Sequence, residues 1–259
     1  DVAVGRMTYK NLDLSSVSAK TEVGSGVVTI APFSADFYKG KLTGEFTGRL
    51  SEEKQAGTVL TRRALNSHLS LKLKGVDLEP VAMRLAGDDY IGGKTSVMLD
   101  LTGMLSSNDD IPGRMDGIWG FDIADGYYSL SKRNDGTRQR TTFSKASASG
   151  SMEKGVLRND NMKLDSLFVS MKGGGIVDLS RKYLDYSVNV TYAEVPTFPV
   201  RIYGPLAAPK TSIRGAEIIP RTIEKLGGSV FNIFKHVITT PFKALEMLGR
   251  MGGNGTSPN

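Results

Sequence analysis

The sequence predicts a mainly β protein: a large curved antiparallel sheet, groove-like or taco-like or folded into two layers, with a short mid-chain helix and a C-terminal amphipathic helical segment. Three observations predict it. Apolar and polar residues alternate with period 2 in several long segments. Clusters of Gly, Asn and Asp separate those segments. No long helical stretch lies between successive strands, and parallel pairing would need such crossovers.

The elements follow in order. Gly26–Ile30, Phe33–Tyr38 and Lys41–Leu50 read as a meander of short strands. From Leu65 to Leu73, Leu65, Leu69, Leu71 and Leu73 take one side while His68, Ser70 and Lys72 take the other. Leu78, Val81, Ala82 and Leu85 recur at helical spacing, so Leu78–Leu85 is expected to be a short helix. Val97, Leu99 and Leu101 then alternate with Ser96, Met98 and Asp100, and Trp119, Phe121 and Ile123 form another apolar row. The clearest alternation is Tyr183–Tyr192, where Leu184, Tyr186, Val188, Val190 and Tyr192 face away from Asp185, Ser187, Asn189 and Thr191. A helix cannot segregate that pattern, because period 2 spreads around a 3.6-residue turn. Asn134-Asp135-Gly136 reads as a hairpin tip, and Asn159–Asn161 and Gly173–Gly175 as turns or bulges.

After Pro220 the period changes. Ile223, Leu226, Val230, Phe234, Val237 and Ile238 recur every three or four residues, which predicts an amphipathic helix. Gly227-Gly228 weakens its start and Pro241 ends or kinks it, with Phe242, Leu245 and Leu248 beginning a second short helix. The expected organisation is one antiparallel β domain over residues 1–219, a helical segment over 220–251 and a disordered tail over 252–259.

Composition bounds the chemistry. The chain has 259 residues, 39% hydrophobic and 23% charged, which suits a folded chain with a sizeable core. Its 30 Gly show no Gly-X-Y period, so collagen is excluded, and no run of 18 apolar residues predicts a transmembrane helix. The chain starts at Asp1 with no signal peptide and reads as a mature protein or a fragment, so a native anchor is expected to lie outside it. Cys is absent, which excludes disulfides, thiolate metal sites and Cys nucleophiles. Residues 201–259 hold eight Lys/Arg against three acids, most of the net charge of +6, and such a tail invites an anionic partner.

No motif for a reaction emerges. Gly87–Thr95 imitates a phosphate loop but misses its spacing, since Asp88 stands where the first Gly belongs. Asp88-Asp89 and Asp109-Asp110 read as solvated turns rather than cation ligands. His68 and His236, the two histidines, sit on polar sides of their elements and read as surface residues. The basic stretch Lys132–Arg140 lacks interleaved aromatics, so nucleic acid is not an expected partner. Metal, cofactor and catalytic residues are not expected.

An ordered series of short motifs resembles the C-terminal region of the AsmA family. It runs Val76–Pro80, Ile91–Lys94, Leu99–Gly103, Phe121–Tyr127, Ala146–Leu157, Gly174–Leu179 and Ile202–Lys210, the last with a Gly204-Pro205-Leu206 turn. The resemblance covers about Met7 to Met251 and rests on the order of the motifs. It implies a periplasmic protein of the Gram-negative envelope, anchored in the inner membrane by an N-terminal helix absent from this sequence. It also implies likeness to bridge-like lipid-transfer proteins, whose long folded sheet encloses an apolar groove, and a role in phospholipid movement and outer-membrane maintenance. The family has no defining catalytic residues to carry over.

The candidate site follows from both readings. Leu69, Leu71, Val97, Leu99, Leu101, Val188 and Val190 are the candidates for a lipid groove, with a closed core as the competing outcome for the same residues. Lys225, Phe231, Phe234, Lys235, Phe242 and Lys243 are the candidates for an interfacial helix or a lid. The expected partners are phospholipid acyl chains and a membrane surface. The alternative is a structural assembly factor that binds envelope proteins through a sheet edge.

Overall fold

The computed structural model describes residues 1–9, 11–54, 61–86, 91–105, 112–132, 138–167, 169–192 and 195–213. Among these residues, thirteen strands form one open antiparallel sheet in strict sequence order: β1 (Val2–Tyr9), β2 (Leu12–Gly24), β3 (Val27–Phe37), β4 (Gly40–Lys54), β5 (Thr61–Asp77), β6 (Ile91–Leu105), β7 (Met115–Lys132), β8 (Arg138–Glu153), β9 (Val156–Asp165), β10 (Val169–Asp178), β11 (Tyr183–Tyr192), β12 (Val195–Pro205) and β13 (Lys210–Ile213). One helix, α1 (Leu78–Ala86), joins β5 to β6, and a 3₁₀ turn at Pro112–Arg114 precedes β7. The predicted C-terminal helical segment, the tail, the Asn134–Gly136 tip and both Asp pairs lie outside the described residues.

One expectation changes in detail. Gly26–Ile30 and Phe33–Tyr38 were expected as separate strands, but both belong to β3. The interruption is a bulge: the register with β4 shifts between Ile30 and Phe33, around Pro32. Proline has no N–H for the ladder, and a bulge accommodates that without ending the strand. Asn159–Asn161 and Gly173–Gly175 likewise form bulges inside long strands, with the β9–β10 register shifting between Gly173 and Gly175. Opposite them, the β8–β9 ladder opens between Ser147 and Ser151. There the Asn161 side chain replaces ladder bonds: its Oδ1 accepts from the Ser149 N–H at 3.0 Å, and its Nδ2 donates to Ser149 Oγ at 2.9 Å.

Local residue choice sets the hairpins. Ser25-Gly26 and Lys154-Gly155 both take positive φ, as a tight turn between twisted strands requires. Tyr38-Lys39 does the same without glycine, at φ 44° and 65°. Tyr38 O then accepts the Asp77 N–H at 2.9 Å, which ties this turn to the entrance of α1.

The alternation becomes two sheet faces. Cross-strand partners share a face, so the register defines continuous rows. One row runs Phe46, Leu69, Leu101, Gly117, Met152, Leu157, Val177, Leu184. The opposite face carries Glu45, Ser70, Asp100, Ser147, Lys163, Asp185 and Arg201. On it the Arg201 guanidinium clasps the Asp185 carboxylate at 2.6 and 2.8 Å and holds its pKa below the ordinary carboxylate value. Glycines allow close approach at two places on the apolar face. The Phe33 ring lies over Gly44, and Tyr186 and Val188 crowd Gly175 and Gly173, where a Cβ would come within 2.3 and 2.1 Å of carbonyl oxygens.

Candidate functional site

The apolar face gathers Leu71, Leu99, Leu101, Trp119, Phe121, Ile123, Leu164, Met171, Leu184, Val188, Val190, Val200 and Ile202 into one cluster. All seven groove candidates lie on this face. The structure separates them, however, by exposure. Leu71, Leu99, Leu101, Val188 and Val190 are buried within the protein itself, the last two at 1% exposure. Leu69 and Val97 are only partly buried, as are Phe33, Leu42 and Leu73 on the same face. Apart from the partly buried Met115 on β7, the face is therefore sealed across β7–β12, while across β3–β6 it is part-open, with partly buried side chains set among the buried Leu71, Leu99 and Leu101. Sequence reasoning did not select Phe33 or Leu42, although alternation along Phe33–Phe37 and Lys41–Leu50 carries them. Leu73 belonged to a predicted row without being chosen.

Helix α1 closes one end of the part-open stretch. Leu78 and Ala82 join the main cluster, while Val81 packs with Phe37 and Val76 in a second one that also touches Leu12, Leu14 and Tyr38. Glu79 in the first turn and Arg84 in the last turn suit the helix dipole. Ion pairs tie the helix to three strands' worth of neighbours: Glu79 to Arg140 at 3.1 Å, Arg84 to Asp13 at 3.9 Å, and Asp77, just before the helix, to Lys39 at 2.8 Å and to Lys94. The Lys39 and Lys94 ammonium groups donate to Asp77 and lower its pKa. Asp13 is lowered as well, first by the Thr8 hydroxyl it accepts from and then by Arg6 and Arg84.

Elsewhere on the face, the Tyr186 ring is buried and its hydroxyl donates to Asn159 Oδ1. Burial raises its pKa above the ordinary phenol value. His68 lies on the polar face with an exposed side chain, as expected. The β5–β6 register brings it beside Asp100, with Nε2 to Oδ1 at 3.0 Å on the polar face. Among the described residues, no group of three His, Asp or Glu could hold a metal ion. No described helix is long and apolar enough to cross a membrane. Lys225, Phe231, Phe234, Lys235, Phe242 and Lys243 lie outside the described residues. No protein-family model, curated protein or solved structure matches the chain.

The geometry suits one kind of chemistry. A row of apolar side chains, part-open to solvent and bounded by a helix, accepts hydrocarbon without needing directed polar contacts. Each CH₂ removed from water gains about 0.8 kcal/mol. An acyl chain of about 16 carbons could gain on the order of 10 kcal/mol before ordering costs are subtracted.

Proposed function

We propose that the chain is a non-enzymatic, AsmA-like lipid-binding module that takes part in phospholipid transfer within the Gram-negative periplasm and so in outer-membrane biogenesis. The observation that carries this reading is the single apolar face running across the sheet, part-open at Phe33, Leu42, Leu69, Leu73 and Val97. The ordered motifs that resemble the AsmA family supply the biological setting. Acyl chains enter over β3–β6, and the sealed β7–β12 half serves as the scaffold that keeps this stretch of sheet in shape. The basic C-terminal stretch adds attraction to an anionic leaflet, roughly 1 kcal/mol per Lys or Arg near the surface. Native mass spectrometry of the purified protein tests the reading. Phospholipid adducts support it; a clean mass after incubation with phospholipid vesicles opposes it.

A second reading has its own observation. Strand β1 ends the sheet, and Val2, Val4 and Met7 on it are 50%, 40% and 44% exposed. An unpaired strand edge is a template for β-augmentation, which favours an assembly factor that binds an envelope protein. Capture of a β-barrel protein by a clean, lipid-free chain would select it.

A further inference from the structure

The polar face carries a concavity of its own. A trough of about 660 Å³ crosses β5 to β9 and is lined by Lys72, Lys74, Ser96, Met98, Asp122 and Lys163, among others. Its floor is low because β8 is small on both faces: Ala146, Ala148 and Gly150 face the core, while Ser147 and Ser149 face the trough beside Gly120. Lysines stand at both ends. Lys41 is directly opposite Lys74 across β4–β5, and Lys163 is directly opposite Lys172 across β9–β10. Like charges placed directly across a ladder destabilise it.

These lysines also lack compensation. Lys20, Lys39 and Lys94 each reach a carboxylate, whereas Lys41, Lys72, Lys74, Lys163 and Lys172 make no ion pair among the described residues. Asp36 faces Lys41 across β3–β4 and Asp122 lies mid-trough, and neither comes within ion-pair distance of a lysine. Four strand spacings of about 4.8 Å put Lys74 and Lys163 about 19 Å apart along the sheet. Two separated clusters of uncompensated positive charge, joined by a floor of hydroxyls and the Asn161 amide, match an elongated ligand rich in oxygen. A recessed floor is out of reach of a flat bilayer. Phe121 borders the trough on β7, but its ring belongs to the apolar side, and among the described residues no other aromatic lines it to stack a nucleobase.

We propose that this trough binds an acidic oligosaccharide, with lysines at each end holding its anionic groups and Ser96, Ser147, Ser149 and Asn161 meeting its hydroxyls. The site is independent of the apolar face and its proposed lipid. A fluorescent heparin-derived hexasaccharide is the probe, read by anisotropy at low salt. Lys72→Ala/Lys74→Ala and Lys163→Ala/Lys172→Ala should each weaken binding about tenfold or more, and Asp122→Asn should strengthen it about threefold. Circular dichroism should show each variant folded, as expected for exposed lysines and a half-buried aspartate. Neutral dextran and inorganic phosphate at matched charge should fail to compete. The proposal is overturned if the lysine variants bind as wild type does, if Asp122→Asn has no effect, if phosphate competes as well as the oligosaccharide, or if the protein binds anionic vesicles but not the probe.

Discussion

Replacing Val190 and Val97 in turn with Asp separates the sealed half of the apolar face from the part-open half. Val190 sits on β11 between Met171 of β10 and Phe198 of β12, at 1% exposure. Losing the buried valine costs about 1.5–3 kcal/mol. The carboxylate then adds a penalty of several kcal/mol, whether it stays charged and unpaired or takes up a proton. The sum rivals the whole stability of about 5–15 kcal/mol of a typical domain, so Val190→Asp should unfold the protein. Val97 sits on β6 between Leu73 and Phe121 but is only partly buried, so an aspartate there can turn its charge toward water. Its cost in stability should be about 1–2 kcal/mol. An acyl chain over β3–β6 would meet that charge, and phospholipid retention should fall at least about tenfold, equivalent to about 1.4 kcal/mol. Urea denaturation followed by circular dichroism gives the stabilities, and native mass spectrometry gives the lipid. The reasoning is refuted if Val190→Asp stays folded with a wild-type midpoint, or if folded Val97→Asp keeps its lipid.

Further outcomes follow from single contacts. Gly173→Val should destabilise by about 1–3 kcal/mol, seen as a lower urea midpoint, because its Cβ would fall 2.1 Å from the Ser187 carbonyl oxygen. Asp77 has a lowered pKa, so its contribution is present above the unfolded value near 4 and is lost as pH falls through the folded value. Asp77→Asn should therefore cost about 0.5–1 kcal/mol at neutral pH, after allowance for the exposed lysines, and the gap between the two melting curves should close in acid. Tyr186 has a raised pKa, so the folded state loses stability as pH climbs above about 10, where the unfolded phenol ionises. Phenolate absorbance should show a late-titrating phase, and Tyr186→Phe should reduce it. Truncation at Pro220 should reduce co-sedimentation with anionic vesicles, while equal binding by both chains would remove the C-terminal segment from the lipid reading.

The sheet was legible because its signal is local. Leu69, Leu71 and Leu73 alternate with Ser70 and Lys72, and no helix can sort them that way. Helix α1 was legible for the same reason at the other period, and it runs one residue past the predicted end. The bulges were harder to place. Asn161 supplies ladder bonds from its side chain, and Pro32 sits inside a strand at a register shift, so turn-forming residues did not end strands. The break between Phe33–Tyr38 and Lys41–Leu50 was legible, but the Tyr38-Lys39 turn itself lacks Gly, Asn and Asp, so its positive φ angles were not. Exposure was not legible at all. Val97 and Val190 have the same residue type and the same alternation, yet one is part-open and the other sealed. Period 2 assigns a residue to a face, and what covers that face is decided by distant chain. The His68–Asp100 contact and the opposed lysines share this cause, since cross-strand register brings together residues 32 and 33 positions apart, as well as Lys163 and Lys172 on the two arms of one hairpin.

Site-specific photocrosslinking is the most direct measurement of the lipid reading. A photoreactive residue at Leu69 or Val97 faces the part-open apolar stretch, while one at Ser70 or Ser96 sits next to it on the polar face. After illumination in the presence of phospholipid vesicles, lipid adducts should form at positions 69 and 97 and be scarce at 70 and 96. Adducts absent at 69 and 97, or equally abundant at 70 and 96, would contradict a lipid site on the apolar face of β3–β6.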